Sequence, residues 1–195
     1  MGVITPVTHW AAPIVWVKKR NGKIGVCAGF PKALNKDLQS FEYPRSTPED
    51  VFASLNRGTL FSQIDLSNAY IQIELSEESK KKTVIKTHEG LFQYNRLPFR
   101  VKTAPGIFQQ IMNKMAAGLK GATTSLDDIL VCGATKGEHN RNLPWLFERN
   151  AEYGFKLHMD KCSFAKSEIL HLGFIVDKNG RRPSPQKTEA IKNVA

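Results

Sequence analysis

Three aspartates, Asp65, Asp127 and Asp128, have the types and placement to do chemistry. Asp127 and Asp128 are adjacent in Ser125-Leu126-Asp127-Asp128, and Asp65 closes the run Phe61-Ser62-Gln63-Ile64-Asp65. Leu60, Ser62, Ile64 and Leu66 alternate with Phe61, Gln63 and Asp65, the period of a half-buried strand with Asp65 on the face of Phe61. Leu126 on one side and Ile129-Leu130-Val131 on the other make the Asp pair the turn of a hairpin. Carboxylates at the ends of adjacent strands hold hard cations, and two cations about 4 Å apart can clamp the attacking and leaving oxygens of a phosphoryl transfer. An Asp pair by itself also suits a solvated turn or a helix cap.

Around these residues the chain has 195 residues, enough for one core or one core with a smaller lobe. Its 41% hydrophobic and 24% charged residues are a globular mixture. No apolar run is long enough to cross a bilayer, and the Met1 stretch lacks the basic start and apolar centre of a secretory signal. The expectation is an intracellular protein, in a cytoplasmic particle or the nucleus, with no membrane partner. Lys and Arg number 28 against 18 acidic residues, and the net charge of +10 favours a polyanionic partner, nucleic acid being the commonest. Charge alone would fit a ribosomal or membrane-surface protein equally. Cys27, Cys132 and Cys162 have neither metal nor disulfide spacing, which leaves free thiols. His9, His88, His139, His158 and His171 are scattered, which argues against a metal-dependent phosphohydrolase assembled around the aspartates.

The elements that must position the aspartates follow from pattern. Residues 13–30 read as a hairpin with Asn21-Gly22 at a basic turn. Thr47-Pro48-Glu49-Asp50 opens a helix as N-cap, first-turn proline and capping-box partner, with Val51, Phe52 and Leu55 inward and Gly58 as the stop. Ile71, Ile73 and Leu75 alternate as a strand, the Lys80-Lys81-Lys82 run leads into residues 83–86, and 91–94 pairs back across Gly90. Thr103-Ala104-Pro105 starts the longest helix, with Ile107, Phe108, Ile111, Met112, Met115 and Leu119 at core spacing and Gly118 and Gly121 at its end. A further helix covers about Lys136 to Tyr153 with Leu143, Leu146 and Phe147 inward; Pro144 makes it start near Asn142 or kink. Residues 155–164 and 169–176 read as strands, and the stretch from Arg181 as a basic lead into an incipient helix. Helices gathered against an antiparallel sheet make an α+β architecture.

Placed in order, these segments resemble the reverse transcriptase of gypsy-type LTR retrotransposons and, more distantly, of retroviruses. The resemblance runs through Trp10-Ala-Ala-Pro-Ile-Val15, Lys18-Lys19, Leu34-Asn35, Tyr43-Pro44, Phe61-Ser-Gln-Ile-Asp-Leu66, Ala69-Tyr70, Tyr94-Asn-Arg-Leu-Pro-Phe99, Ala104-Pro105, Ile107-Phe108-Gln109, Leu126-Asp127-Asp128-Ile129, Lys161-Cys162 and Leu172-Gly173. It implies the fingers and palm of a right-hand polymerase without its thumb: fingers over 1–43 and 73–103, palm over 44–72 and 104–180, and the start of a thumb or linker over 181–195. It implies RNA-directed DNA synthesis by two-metal nucleotidyl transfer onto a primer 3′-hydroxyl. Asp65, Asp127 and Asp128 become the catalytic residues and ligands of two Mg²⁺ ions, with Mn²⁺ able to substitute. Asp127 outweighs Asp128, because successive strand side chains point to opposite faces. Lys19, Leu66, Ala69, Tyr70, Phe99 and Arg100 fall where the nucleotide binds, Tyr70 beneath the sugar to exclude a 2′-hydroxyl. Lys18, Pro105, Gln109, Ser125, Leu126, Leu172 and Gly173 fall where template and primer lie. The implied partners are an RNA or DNA template with primer, dNTPs, and the remainder of a pol polyprotein (thumb, connection, RNase H, integrase).

The departures from the family pattern fall on its working parts. Ser125 replaces a Tyr, Arg100 a Gly and Gly25 an Arg that reaches the triphosphate. Gly29 and Pro31 stand where an Asp and a second cation are usual, and they weaken a strand. Asn68 stands for a frequent Asp, and Pro144 and His171 are further departures. With a start just before the fingers' first strand and an end where a thumb would begin, the expectation is a fragment or decayed copy of a retroelement polyprotein. The alternative is an inactive relic that binds nucleic acid weakly.

Overall fold

The structure, a computed structural model, describes residues 2–8, 11–18, 22, 24–30, 34–41, 43–44, 47–125 and 128–192; for 15–18, 24–27 and 190–192 it describes the backbone alone. In chain order the elements are β1 (Ile4–Val7), β2 (Ala12–Lys18), β3 (Ile24–Ala28), α1 (Leu34–Asp37), α2 (Pro48–Leu55), β4 (Leu60–Asp65), α3 (Glu77–Lys82), β5 (Val84–Thr87) and β6 (Gly90–Tyr94). There follow α4 (Ala104–Ala116), β7 (Ala122–Ser125), β8 (Asp128–Gly133), α5 (Lys136–Glu152), β9 (Ser163–Lys166), β10 (Glu168–His171), β11 (Phe174–Asp177), β12 (Gly180–Pro183) and α6 (Pro185–Lys192). The chain divides into two compact units, one of residues 1–43 and 68–108, the other of 44–67 and 109–195.

The first unit is built on a five-stranded sheet ordered β1-β6-β5-β2-β3. β2 and β3 form the expected hairpin, from Ile14↔Ala28 to Lys18↔Ile24, and β2 runs parallel to β5 at Ala12↔Ile85. Its core joins Ala12, Ala28, Phe30, Ile85, Leu97, Val101 and Ala104. Gly29, expected to weaken a strand, stands just past β3 and lets two backbones meet closely. Its N–H donates to Pro13 O at 2.6 Å, and a Cβ there would stand 2.7 Å from that oxygen, so only glycine lets the backbones meet this closely. Pro31 and the turn around Asn21 lie outside the described residues.

Two segments of this unit differ from the sequence expectation. The stretch read as a strand over Ile71–Leu75 begins as a 3₁₀ turn, Ala69–Gln72, entered through Asn68 at φ 49°, and only Glu74 pairs, in a single bridge to Arg96. Asn tolerates the left-handed region, and one such residue turns the chain out of the extended path that the alternation implies. The lysine run is the end of helix α3. Ser76 accepts from Ser79 N at its start, and Lys80 is buried with its ammonium 2.6 Å from Glu77.

The second unit carries a four-stranded sheet ordered β7-β8-β4-β9 and a three-stranded sheet ordered β10-β11-β12. Its core joins Val51, Leu55, Phe61, Leu130, Cys132, Ile169 and Val176. α2 starts as its sequence dictates: Thr47 Oγ1 accepts from Asp50 N at 3.1 Å, while Asp50 Oδ2 accepts from Thr47 N at 2.8 Å. Its end was misread, since Asn56 is the C-cap and Arg57 takes φ 69°. Gly58 serves packing, because a Cβ there would meet the Phe61 ring at 2.7 Å.

Of the expected stripe α4 buries Phe108, Met112 and Met115, with Ala104 beside them, while Ile107 and Ile111 are half-buried and Leu119 lies past the helix end. α5, at 17 residues, is longer, and it runs through Pro144 without stopping. An interior proline costs about 3 kcal/mol, and a polar anchor holds the helix across it. The helix buries His139, Asn142, Leu146 and Asn150; Asn142 Nδ2 donates to Cys132 O at 2.9 Å and Asn150 Nδ2 to Phe155 O at 2.8 Å. Residues 155–164 are mostly a bridge at Leu157 and a 3₁₀ turn, Met159–Lys161, before β9 begins. Residues 169–176 are the two arms of a hairpin, β10 and β11, closed at Leu172-Gly173.

Candidate active site

β4 is buried on both faces, with Phe61, Ser62 and Ile64 fully enclosed. A buried hydroxyl needs partners, and Ser62 Oγ lies 2.8 Å from His139 Nε2 and accepts from Ala165 N at 3.0 Å. These bonds tie the strand to α5 and β9. At its end Asp65 stands directly opposite Asp128, which itself stands opposite Ser125. The three residues form a row across β4, β8 and β7. Directly opposed residues share a sheet face with Cβ atoms about 4.5–5.5 Å apart. Two carboxylates so placed repel unless a cation lies with them.

The segment after α5 closes one side of the row. Ser67 N donates to Lys156 O and His158 N to Asp65 O, each at 2.9 Å, and Leu66 bridges Leu157. Asp65 N donates to Cys162 Sγ at 3.4 Å. This path brings His158 Nδ1 to 3.5 Å and Lys161 Nζ to 3.8 Å from Asp65 Oδ1. On the other side His171, the last residue of β10, places Nδ1 3.7 Å from Asp128 Oδ2. None of these is a hydrogen-bond length. The two carboxylates keep 20% and 29% exposure, so both present hard oxygens of the kind a divalent cation takes, while no group of three or more His, Cys, Asp or Glu gathers among the described residues. Burial holds the His171 imidazole below its ordinary pKa, and the Asp128 charge pulls the other way.

Of the predicted site residues, Asp127, Leu126 and Lys19 lie outside the described residues, as does the Lys18 side chain. The second unit assembles Asp65, Ser125 and Asp128, and His171, 3.7 Å from Asp128, directly precedes the turn at Leu172 (φ 50°) and Gly173 (φ 76°). Leu66 is buried beside Asp65. Gln109 is buried too, donating to Asn113 at 2.7 Å and Thr124 at 3.2 Å, so its amide is held inside the unit.

In the first unit the Tyr70 ring meets Phe99 at 5.1 Å and Phe108 at 5.2 Å, both edge-on, beside buried Ala69. Phe99 is exposed, and Pro105 lies half-buried in the first turn of α4. Arg100 is exposed at φ 71°, its carbonyl accepting from Asn35 Nδ2 at 2.8 Å while Lys102 N donates to Asn35 Oδ1 at 2.9 Å. Sequence reasoning missed His158, Lys161 and His171 as neighbours of the carboxylates. The Lys161-Cys162 pair was a signal for the first two; nothing in the spacing pointed to His171.

The family model described as "Reverse transcriptase (RNA-dependent DNA polymerase)" matches residues 17–176. The chain belongs to the reverse transcriptase family. It is 50% identical over its whole length to an uncharacterized protein of Caenorhabditis elegans, covering 16% of that protein. It is also 35% identical to a retrovirus-related Pol polyprotein from transposon 297 of Drosophila melanogaster, over 82% of this chain and 15% of the polyprotein. The chain thus spans about one sixth of these relatives' length. Among solved structures, a foamy viral protease-reverse transcriptase in complex with double-stranded DNA superposes with a TM-score of 0.89 at 25% identity, over 99% of this chain and 34% of that one. A second, in complex with an RNA/DNA hybrid, gives 0.87 at 23% identity, over 100% of this chain and 26% of that one. The α+β fold is therefore that of reverse transcriptase fingers and palm, and the family is one of RNA-directed DNA polymerases.

Proposed function

We propose that this chain is the fingers-and-palm portion of a gypsy-type retroelement reverse transcriptase, extending a primer on an RNA or DNA template within a larger, intracellular pol polyprotein. The observation that carries the reading is the row of Asp65 opposite Asp128 at the ends of two buried, paired strands. Residues 1–43 and 73–103 act as fingers and 44–72 and 104–180 as palm, and the charge of +10 suits the phosphates of primer and template. Foamy viral relatives complexed with DNA and with RNA/DNA hybrid support that class of partner.

Asp65 and Asp128, joined by Asp127, are the residues that would hold two Mg²⁺ ions. When bound, the metals supply activation of the primer 3′-hydroxyl and neutralisation of the departing pyrophosphate. The protein's part is placement. The buried ladder of β4 fixes Asp65 against the repulsion of its neighbours. The Tyr70 ring, held by two aromatic edges, gives a flat apolar floor to the sugar and excludes a 2′-hydroxyl. Arg100 presents a guanidinium to phosphate, and the Leu172-Gly173 turn supports the primer end.

Primer extension on poly(rA)/oligo(dT) with Mg²⁺ or Mn²⁺ tests the reading, with Asp127→Asn as control. Incorporation that the variant loses supports a working fingers-palm polymerase. A folded, monodisperse protein that incorporates nothing would instead be a relic that binds nucleic acid weakly.

A further inference from the structure

His171 lies one residue from the exposed turn of the β10–β11 hairpin, yet its side chain is 3% exposed. In β10 the inward positions are Ile169 and His171, while Leu170 faces out at 53% exposure. An aliphatic side chain would fill an inward strand position without burying polar atoms. The imidazole buries Nε2, which meets no hydrogen-bonding protein group among the described residues. A buried polar atom left so is costly, so its presence asks for a return elsewhere. The other nitrogen supplies one, since Nδ1 lies 3.7 Å from Asp128 Oδ2. A carboxylate only accepts, so its field selects the tautomer with the proton on Nδ1, and Nε2 then carries a lone pair and no stranded N–H. At 3.7 Å the contact is electrostatic, longer than a hydrogen bond.

The geometry points to His171 as a positioning residue for Asp128: its Nδ1–H holds the carboxylate oriented for a divalent cation and ties it to the Leu172-Gly173 turn. Leu172 adds to the case. It is an exposed leucine at φ 50°, and non-glycine residues in that region cluster where function over-determines the backbone. A load on this turn moves the strand end that carries His171, and so reaches the Asp128 carboxylate. The inference rests on the proposed metal role of Asp65 and Asp128.

The test reads metal binding, without nucleic acid or nucleotide. Mn²⁺ is titrated into the 195-residue chain and free Mn²⁺ is followed by electron paramagnetic resonance, for the parent and for His171→Leu, His171→Asn, His171→Gln and Asp128→Asn. The Asn amide nitrogen falls at the Nδ1 position and the Gln amide at the Nε2 position. Loss of an outer partner weakens metal affinity about 10–100-fold. That loss is expected for the Leu and Gln variants, with Asn near the parent and all three melting cooperatively. Should Leu fail to fold, Asn against Gln decides the same question. Equal affinity in Leu, Gln and parent while Asp128→Asn loses Mn²⁺ overturns the role of His171 alone. Equal weakening in Leu, Asn and Gln makes His171 a packing residue and overturns it as well. If Asp128→Asn binds as the parent does, the metal reading itself falls, and this inference with it.

Discussion

Asp65 and Arg100 are both charged side chains that the fold must hold in place, and it holds them by different means. Asp65 ends a strand paired to β8 at every residue from Leu60↔Gly133 to Asp65↔Asp128, with Phe61, Ser62 and Ile64 fully enclosed behind it. Moving it means opening a sheet. Arg100 sits in a loop at φ 71°, steadied by two hydrogen bonds to Asn35. A residue there can change at the expense of a loop. The backbones differ in the same way: Asp65 and Asp128 stand in a paired row, while Arg100 takes a left-handed conformation that favours glycine.

The sharpest way to break this contrast is at Asp65. Asp65→Asn keeps the size and the strand but removes a charge from the site, and nucleotide incorporation should fall about 10³-fold or more, the equivalent of several kcal/mol of metal-linked stabilisation. Primer-extension rates check it, and a loss below tenfold would take Asp65 out of the site. Behind it, Phe61→Ala should lower the unfolding free energy by about 3–5 kcal/mol, because a fully buried ring leaves a cavity at the core of the sheet. Urea titration measures this. A smaller effect would mean that β4 is less rigid than the contrast requires. Thr47→Ala, in the same unit but at its exposed rim, removes only a helix cap and should cost about 1 kcal/mol. A loss approaching that of Phe61→Ala would show that α2 supports the carboxylate end directly.

What could be read from the sequence follows the same line. The capping box at Thr47–Asp50, the α4 positions Phe108, Met112 and Met115 and the strand ending in Asp65 are local patterns set by neighbours in sequence and formed as read, although β4 is enclosed on both faces where the alternation implied one. The 3₁₀ turn at Ala69–Gln72 was hidden because Asn68 turns the chain with no change in the apolar alternation behind it. α3 was hidden because a lysine run reads as a solvated face, although Lys80 is buried on Glu77. Within the site the pairing of Asp65 with Asp128 was legible, since strand alternation and the hairpin pattern bring both to strand ends. His158, Lys161 and His171 were not, for they reach the carboxylates through pairings far apart in sequence. Gly29 was read as damage because its close approach to Pro13 exists only in the folded sheet.

The smallest expected effect lies at the other pole of the comparison. Arg100→Gly removes the Cβ that crowds the backbone at φ 71°. The left-handed region costs a non-glycine residue about 1–2 kcal/mol, while glycine gives back about 0.5–1 kcal/mol through its freer unfolded chain. The net should be a gain of up to about 1 kcal/mol in urea titration, with the Asn35 bonds kept because they use the backbone of residues 100 and 102. Nucleotide affinity separates two meanings of that gain. If affinity rises together with stability, Arg100 is a lesion in the loop. If the protein becomes firmer but holds nucleotide less well, the strain is the cost of a phosphate contact. A loss of stability would break the contrast itself, since it would show the Arg100 side chain to be as firmly built into its unit as Asp65 is into β4.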